Sequence, residues 1–324
     1  MLFRLGIFVT AAVLATSSAA TAQVKLRIGD LAQSLNEIGS RVIIDQGIDK
    51  KYGFAAEYRA YPTLDGLFTA IRGKDVDVGF SGWTAIAQFR SKGFPVTTIF
   101  PVGRGVTVDV IVPNASPIKT IADLKGKKVG SFAGAAGTAT VLFRVIASKF
   151  HGFDPGKTGE LQFAGPGLLP ALLDKGEIDA AVMFDPLAAK LEGSGKYRSI
   201  GNLADAYKAG TGDDFLWIGY ATNDDFMKAE PEALKNFTKA WLEALEYIKA
   251  HPEVFEAYGK KYQLEPAAVT LLRERVLADY TTTWNEATIE SLRRFAGMAN
   301  EVMGGGYLDT VPAAAFSTRF DPRK

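Results

Sequence analysis

The sequence of 324 residues contains no cysteine and only two histidines. The absence of cysteine excludes disulfide bonds, thiolate catalysis, cysteine-based metal sites and a lipid-modified N-terminal cysteine. His151 and His251 each lack a second candidate ligand at metal-binding spacing. No Gly-x-Ser-x-Gly elbow occurs, which disfavours a hydrolase triad. We therefore predict no catalytic residues, no metal and no cofactor.

A charge excess of one sign and long apolar runs are also missing. The chain has 37 basic and 36 acidic residues, a net charge of +1, so nothing points to nucleic acid or an anionic membrane surface as a partner. Beyond the N-terminus, no stretch approaches the roughly 18 uninterrupted apolar residues of a membrane span. The length and the apolar content of 47% fit two soluble globular domains.

The first 22 residues are typical of a secretion signal. Arg4 supplies a positive charge, residues 5–14 are apolar, and small residues lead to Ala20-Thr21-Ala22. This pattern predicts a signal peptide over residues 1–22, cleaved before Gln23, and a free protein in the periplasm. An uncleaved membrane anchor is the alternative, but the apolar run is too short to span a bilayer.

A similar short unit occurs twice in the chain. Residues 67–89 (LFTAIRGKDVDVGFSGWTAIAQF) and residues 169–191 (LPALLDKGEIDAAVMFDPLAAKL) each predict a helix, a tight turn, a buried strand and a second helix. The alignment matches Asp77 with Asp179, Val76 with Ile178 and Ala87 with Ala189. Two such units suggest two facing domains, and clefts between domains are common ligand sites.

The order of elements predicts an α/β protein. Strands alternate with helices of about ten residues, which indicates βαβ units and mainly parallel sheets in two doubly wound domains. We assign residues 23–109 and 218–324 to lobe 1 and residues 110–217 to lobe 2. The chain would cross twice between the lobes, near residues 110–113 and 217–222, and these two crossings would form a hinge.

Three segments carry a resemblance to a known family. Residues 116–130 (SPIKTIADLKGKKVG), residues 176–191 (GEIDAAVMFDPLAAKL) and residues 311–320 (VPAAAFSTRF) resemble the solute-binding proteins of ABC transporters. The whole mature chain is similar to their nitrate/sulfonate/taurine group, which also includes pyrimidine-precursor binders. The resemblance implies a two-lobed, type II periplasmic-binding-protein fold, and a monomer that delivers its ligand to a membrane permease with its ATPase.

Loops at the carboxyl ends of strands are the expected ligand sites of doubly wound sheets. In residues 132–138 (FAGAAGT), small side chains allow close approach to the backbone, and the helix that follows would favour an anion at its start. No Gly-Lys-Ser/Thr follows, so the run is not a nucleotide-binding P-loop. The four such loops are residues 30–36, 81–84, 132–138 and 184–186. From them we predict the ligand-binding residues Asp30, Gln33, Ser34, Ser81, Gly82, Trp83, Thr84, Phe132, Gly134, Gly137, Thr138, Phe184 and Asp185.

Several of these residues have two interpretations. Asp30 could pair with a ligand ammonium or cap the next segment. Trp83 could stack on a flat ligand or pack between the domains. Asp185 could line the cleft or cap the helix that begins at Pro186, and it could do both. Trp217, on the returning strand, is more typical of core than of a ligand contact.

These patterns favour a solute receptor over an enzyme. A pyrimidine synthase branch shares the implied fold but resembles enzymes that depend on histidine and cysteine clusters, which this chain lacks. A pyrimidine-precursor binder and a sensor partner that presents its ligand to a membrane receptor stay open as alternatives. The predicted loops contain few Arg or Lys but include aromatic residues, which favours an organic, partly apolar anion over bare nitrate.

Overall fold

The computed structural model describes residues 23–105 and 107–323, so the predicted signal peptide lies outside the described residues. The strands are, in chain order, β1 (Val24–Leu31), β2 (Phe54–Tyr61), β3 (Val78–Gly82), β4 (Val96–Gly103), β5 (Val108–Pro113), β6 (Val129–Ser131), β7 (Leu161–Phe163), β8 (Ala180–Phe184), β9 (Tyr197–Asn202) and β10 (Ile218–Asn223). They form two five-stranded sheets, ordered β2-β1-β3-β10-β4 and β7-β6-β8-β5-β9.

The helices cover both faces of these sheets and form the C-terminal region. They are α1 (Asn36–Asp45), α2 (Ile48–Lys51), α3 (Leu64–Gly73), α4 (Trp83–Ser91), α5 (Thr138–His151), α6 (Pro155–Thr158), α7 (Leu169–Asp174), α8 (Leu187–Gly193), α9 (Leu203–Thr211), α10 (Asp224–Ala229), α11 (Pro231–Ala250), α12 (Glu253–Tyr262), α13 (Pro266–Asp279) and α14 (Glu286–Met303). Short 3-10 helices lie at Ile121–Leu124 and Ala313–Ala315.

Both sheets are mixed: four strands of each run in the same direction, as expected, and the fifth is reversed. β1 pairs in parallel with β2 and β3, but β10 is antiparallel to β3 and β4. In the second sheet β6 pairs in parallel with β7 and β8, but β5 is antiparallel to β8 and β9. The reversed strands are the two that cross between sheets: β5 follows β4, and β10 returns after α9. A strand that joins its sheet in the parallel direction is usually reached by a crossover connection from another strand of that sheet. β5 and β10 instead each arrive from the other sheet.

The repeated unit predicted from the sequence is present in the structure. Asp77 accepts a hydrogen bond at 2.8 Å from the backbone N–H of Arg27, in the middle of β1. Asp179 accepts the corresponding bond at 2.8 Å from Lys128, next to β6. The backbone N–H of each aspartate also donates a hydrogen bond to the carbonyl of the same partner residue. One copy, α3-β3-α4, lies in the first unit, which is the first sheet with the helices packed on it. The other copy, α7-β8-α8, lies in the second unit, which is the second sheet with its helices.

Local boundaries differ in two places from the sequence prediction. The sequence pattern of residues 40–52 predicts one helix, but the structure has two helices here, α1 and α2, and α1 begins earlier, at Asn36. They are separated at Gly47, whose φ of 64° is left-handed and therefore suits glycine. The loop expected to begin at Asp30 begins later, because Asp30 still belongs to β1 and is fully buried.

The C-terminal helices pack on both units. Helix α11 packs on α1, and its Trp241 lies in a buried cluster with Tyr220 of β10. Helix α14 packs instead on α5, and its Phe295 lies in a buried cluster with Phe143 of the second unit. Helix α13 belongs to the cluster of the first sheet and also contacts α8. The division into 23–109 with 218–324 and 110–217 stays a prediction.

Candidate functional site

A cavity of about 350 Å³ lies between the two sheets. The first unit lines it with residues that follow β1 and β3, including Ser34 and Thr84, and the second with residues that follow β6 and β8, including Thr138 and Phe184. Small-molecule sites range from about 300 to 1,000 Å³ and favour the carboxyl ends of strands in open sheets. This cavity has the size and the position of a ligand site.

Helices α4 and α5 both begin at this cavity. The N-cap of α4 is Gly82 and that of α5 is Gly137, and no side chain caps either helix. The hydroxyls of Thr84 and Thr138 lie 2.5 Å apart, so the two helix starts meet. Backbone N–H groups in a first helical turn lack intrahelical partners and carry the positive end of the helix dipole. Two such ends at one cavity favour an anionic group.

Glycine at both N-caps permits this close approach. A Cβ atom on Gly82 would lie 3.0 Å from the Thr138 hydroxyl oxygen. A Cβ atom on Gly137 would lie 2.6 Å from the Cβ of Ala133, closer than real Cβ atoms come. A larger residue at either position would separate the two helix starts or distort the loop before α5.

Polar atoms without partners surround the same cavity. Ser34 Oγ, Asn36 Nδ2 and Tyr280 OH all belong to cavity-lining residues, are buried, and have no hydrogen-bond partner among the described residues. Buried polar groups are nearly always hydrogen-bonded, so such donors are candidates for contact with a ligand. Asn36 and Tyr280 were not predicted: Asn36 ends a predicted loop, and Tyr280 comes from a distant C-terminal segment.

Arg72 is the one cationic side chain among the described residues that line the cavity. Its guanidinium lies over the rings of Phe89 at 4.6 Å and Phe94 at 5.2 Å, and its Nε donates to the carbonyl of Phe68 at 3.2 Å. No carboxylate pairs with Arg72 in the described part of the chain. Sequence reasoning missed it, because Arg72 lies in the first helix of the repeat and not in a predicted loop.

An aromatic wall completes the cavity. Phe132 and Phe184, both predicted, lie with their ring centroids 4.7 Å apart. Phe68 and Phe89 line the opposite unit, with centroids 5.3 Å apart in an edge-to-face arrangement. Trp217 also lines the cavity, although its place on the returning strand suggested core. An apolar, aromatic lining with few polar groups is typical of sites for organic ligands.

Eight of the thirteen predicted ligand residues line the cavity: Ser34, Gly82, Thr84, Phe132, Gly137, Thr138, Phe184 and Asp185. The structure places the other five elsewhere: Asp30, Gln33, Ser81, Trp83 and Gly134. A role of any of these residues in ligand binding stays a prediction.

Asp30 does not line the cavity, and the structure shows neither of the two expected contacts. Its carboxylate is fully buried and accepts hydrogen bonds from Ser40 Oγ at 2.6 Å and from Tyr220 OH at 3.0 Å. Burial raises the pKa of Asp30 to about 7, although these two hydrogen bonds act in the opposite direction. The carboxylate of Asp30 is thus hydrogen-bonded to Ser40 and Tyr220, and it neither faces a ligand ammonium nor caps a helix.

Trp83 packs in the core, in accordance with the second of its two interpretations. It has no exposed surface, and its ring centroid lies 5.9 Å from that of Phe295 and 6.0 Å from that of Phe316. Trp83 is the first residue of α4, directly after β3, and its side chain points away from the cavity. Here that side is occupied by α14 and the C-terminal segment, which the sequence pattern does not reveal.

Gln33, Ser81 and Gly134 shape loops rather than line the cavity. Gln33 has a left-handed φ of 62°, and its carbonyl accepts from Tyr258 OH at 2.8 Å. The hydroxyl of Ser81 is buried and donates to the neighbouring carbonyl of Gly82 at 3.1 Å. The carbonyl of Gly134 accepts from the N–H of Gly137 at 2.8 Å, which closes a turn before α5.

Asp185 lines the cavity and also contacts the first turn of α8. Its Oδ1 accepts from the backbone N–H of Ala189 in α8 at 2.8 Å. The same oxygen lies 3.3 Å from a guanidinium nitrogen of Arg275, which reaches across from α13. Burial raises the pKa of Asp185 to about 7, while Arg275 acts to lower it.

Within residues 23–105 and 107–323, no group of three or more His, Asp or Glu side chains is placed to hold a metal ion. Across the same ranges, no helix combines the length and apolar character needed to cross a membrane. The site is therefore defined by four features: the two helix starts, the buried donors, Arg72 and the aromatic wall.

Two βα units that face each other across a ligand-sized cavity define the class of two-lobed binding proteins. The chain belongs to the NMT1/THI5-like family, whose profile matches residues 50–254. It is 24% identical over 212 residues to the taurine-binding periplasmic protein of Escherichia coli strain K12. That match covers 65% of this chain and 63% of the relative, slightly under two thirds of its length.

Solved structures show the same fold. The alkanesulfonate-binding protein SsuA from Xanthomonas axonopodis pv. citri, bound to MOPS, superposes with a TM-score of 0.73 at 18% identity, over 91% of this chain and 98% of that one. The aliphatic sulphonate-binding SsuA from Escherichia coli gives 0.71 at 20% identity, over 93% and 96%. The predicted two-lobed periplasmic-binding-protein fold and the resemblance to the sulfonate/taurine group are confirmed.

Proposed function

We propose that this protein is the substrate-binding component of an ABC importer and that its ligand is a small organic anion of the sulfonate type. The observation that carries the proposal is the meeting of two uncapped helix starts, α4 and α5, at one cavity between the lobes. A sulfonate has three oxygens that accept hydrogen bonds, so it matches several converging N–H and O–H donors. Arg72 adds a positive charge at the same cavity.

The lining supports an organic body on this anion. Aromatic side chains from both lobes, including Phe89, Phe132 and Trp217, form much of the cavity wall. A bare inorganic anion such as nitrate would leave this apolar wall in contact with water, whereas an organic ligand would bury it. The volume of about 350 Å³ also exceeds what a nitrate ion needs.

The position of the anion site supports a closing mechanism. Helix α4 belongs to the first unit and α5 to the second, so one bound anion would contact both lobes. A ligand that makes these contacts only when the lobes are together shifts the open–closed equilibrium by its extra affinity for the closed form. The closed form would then present both lobes to a membrane permease.

The relatives support transport in the periplasm. The names of the matched proteins are those of taurine-binding and sulfonate-binding periplasmic proteins. These names also support binding and release of the ligand without chemical conversion. Export would depend on the predicted signal peptide over residues 1–22. Permease and ATPase genes beside the gene for this chain would favour transport over ligand presentation to a sensor.

Isothermal titration at pH 8 tests the ligand class. The panel contains alkanesulfonates of increasing chain length, taurine, nitrate and an aminopyrimidine, each at matched ionic strength. We expect saturable heat and a thermal shift with organic sulfonates, and none with nitrate. Binding of the aminopyrimidine alone would favour the pyrimidine-precursor reading, and no heat with any sulfonate would contradict the proposal.

A further inference from the structure

The two units of the molecule share one arginine. Arg275 lies on α13, and its neighbour Val276 belongs to the buried cluster of the first sheet. The three carboxylates that this arginine contacts all belong to the second unit. Its guanidinium lies 3.5 Å from Asp109 Oδ2 on β5, 3.3 Å from Asp185 Oδ1 after β8 and 2.6 Å from Glu192 Oε1 on α8. Arg275 therefore pairs with charges across the boundary between the units.

This ion cluster is largely removed from water. Asp109 is 3% and Asp185 2% exposed, and the side chain of Arg275 is 17% exposed. Asp109 Oδ2 and Asp185 Oδ2 have no hydrogen-bond partner in the described part of the chain. Removal of the cation from a buried ion pair leaves charge without compensation unless water can enter. Arg275 thus compensates these carboxylates while the units are together, and water would do so if the units separated.

Helices α8 and α13 also pack tightly where they meet. A Cβ atom on Gly193, at the end of α8, would lie 2.8 Å from both the Cβ and the backbone nitrogen of Ala268 on α13. Ala189 of α8 has no exposed surface and belongs to the buried cluster of the first sheet. The ion cluster around Arg275 therefore lies in a close-packed contact between helices of different units.

This helix contact begins at a chain crossing between the sheets and extends away from it. Asp279, the last residue of α13, accepts a hydrogen bond at 2.7 Å from the backbone N–H of Gly105, in the connection from β4 to β5. Ala268 lies near the other end of α13, about 16 Å from Asp279 along the helix axis. A rotation about this crossing that opens the cavity must therefore separate α8 from α13 and break the ion pairs of Arg275.

We propose that Arg275 is a latch between the two units: its ion pairs raise the fraction of molecules whose units are together before any ligand binds. The inference goes beyond the proposed function, because it concerns the ligand-free protein and does not depend on the identity of the ligand. A ligand that binds only the closed form has an apparent Kd that rises as the closed fraction falls. The latch therefore lowers the free energy of closure that any ligand has to supply.

The distance between two spin labels, measured by pulsed electron paramagnetic resonance on ligand-free protein at pH 8, tests the latch. Because the chain has no cysteine, Thr69→Cys and Ala171→Cys supply the two labelling sites. Both positions are exposed and lie on α3 and α7, one in each unit. We expect a short and a long distance with the native arginine. In this labelled background Arg275→Gln should lower the ratio of short to long by about tenfold or more.

Arg90→Gln is the matched control. The side chain of Arg90 is also 17% exposed, and it pairs at 2.8 Å with Asp224, on another helix of the first unit. This variant should lower the melting temperature without changing the distance ratio. An equal change in both variants would overturn the inference, because the separation would then reflect general destabilisation. An unchanged ratio in Arg275→Gln, or the absence of the short distance with the native arginine, would overturn it too.

Gly193→Leu separates the same two helices and keeps every charge. Its side chain would be forced against Ala268, so the long distance should again become more populated. Gly297→Leu, with open space around its Cβ, is the control and should leave the ratio unchanged. Should Arg275→Gln not fold, as judged by its thermal melt, Gly193→Leu decides, and an unchanged ratio in it would overturn the inference.

The latch and the proposed function can fail separately, because the distances are measured without ligand. If no sulfonate binds but Arg275→Gln lowers the ratio of short to long distances, the latch stands and the proposed ligand class is wrong. If sulfonates bind but the ratio does not change, the proposed function stands and the latch is wrong.

Discussion

At the scale of single residues, the site is built mainly from neutral donors. The hydroxyls of Thr84 and Thr138 meet where the two helices begin, and Ser34 and Asn36 bring buried donors without partners. The sequence predicted Thr84, Thr138 and Ser34 from their loops. It could not predict Asn36 as a lining residue, because the direction of a side chain depends on packing that is not local.

Thr138→Val should weaken sulfonate binding. The substitution removes one hydroxyl from the meeting point of α4 and α5 but keeps nearly the same volume. Loss of one hydrogen bond to a charged ligand group should raise Kd about tenfold, measured by isothermal titration. Thr69→Val, an exposed position outside the cavity on α3, is the control and should leave Kd unchanged. An unchanged Kd in Thr138→Val would show that the Thr138 hydroxyl does not contribute to sulfonate binding.

Asp30 should make stability depend on pH. Its pKa is about 7 in the folded protein and about 4 in an unfolded chain. Between these values the folded state holds a proton that the unfolded state has released, so the free energy of unfolding falls as pH rises from 4 to 7. Asp109 and Asp185, whose pKa values are also raised, act in the same direction.

Asp30→Asn should flatten this dependence without abolishing it. Asn stays uncharged and can still accept from Ser40 or Tyr220, so the difference in unfolding free energy between pH 5 and pH 8 should shrink, on the order of a few kcal/mol at most. Thermal melts across this range measure it. Asp45→Asn, an exposed change on α1, is the control. Equal slopes for wild type and Asp30→Asn would contradict the role of Asp30.

At the scale of elements, the repeat was the most reliable prediction. The match of Asp77 with Asp179 is explained by equivalent hydrogen bonds: Asp77 accepts from the backbone N–H of Arg27 in β1, and Asp179 accepts from that of Lys128, next to β6. Alternating strands and helices also predicted the α/β class. The antiparallel strands β5 and β10 were not predicted, because strand direction depends on which sheet the previous element belongs to, and the hydrophobic pattern is the same in both directions.

Gly219→Ala should strongly destabilise the returning strand. A Cβ atom at Gly219 would lie 2.4 Å from the backbone carbonyl oxygen of Phe100, so β10 and β4 would have to separate. We expect a loss of about 2 kcal/mol or more in the free energy of unfolding, measured by urea denaturation. Gly297→Ala in α14, with open space around its Cβ, should be neutral or stabilising. Similar stability of both variants would contradict the tight packing at Gly219.

At the scale of the whole molecule, the ligand site depends on both lobes at once. The helix start at Gly82 belongs to one unit and that at Gly137 to the other, while α13 brings Val276 from the C-terminal region. The resemblance predicted the two-lobed fold, and the comparisons confirm it. Arg72 was missed because it lies on a helix of the repeat and not in a predicted loop, and Tyr280 because it reaches the cavity from a segment far away in the sequence.

Ligand should shift the molecule toward a more compact form. Small-angle X-ray scattering measures the radius of gyration with and without a saturating organic sulfonate. We expect a smaller radius with ligand, and Thr138→Val should need more ligand to reach it, because the anion then bridges the lobes less tightly. An unchanged radius at proven saturation would contradict closure driven by the ligand.

The most direct test of the central claim is a crystal structure of the protein with a bound organic sulfonate. The account predicts that the sulfonate oxygens accept hydrogen bonds from the first-turn N–H groups of both α4 and α5 and from the hydroxyls of Thr84 and Thr138, with the organic body against Phe132 and Phe184. A sulfonate bound to one lobe alone, or outside the cavity between the sheets, would contradict it.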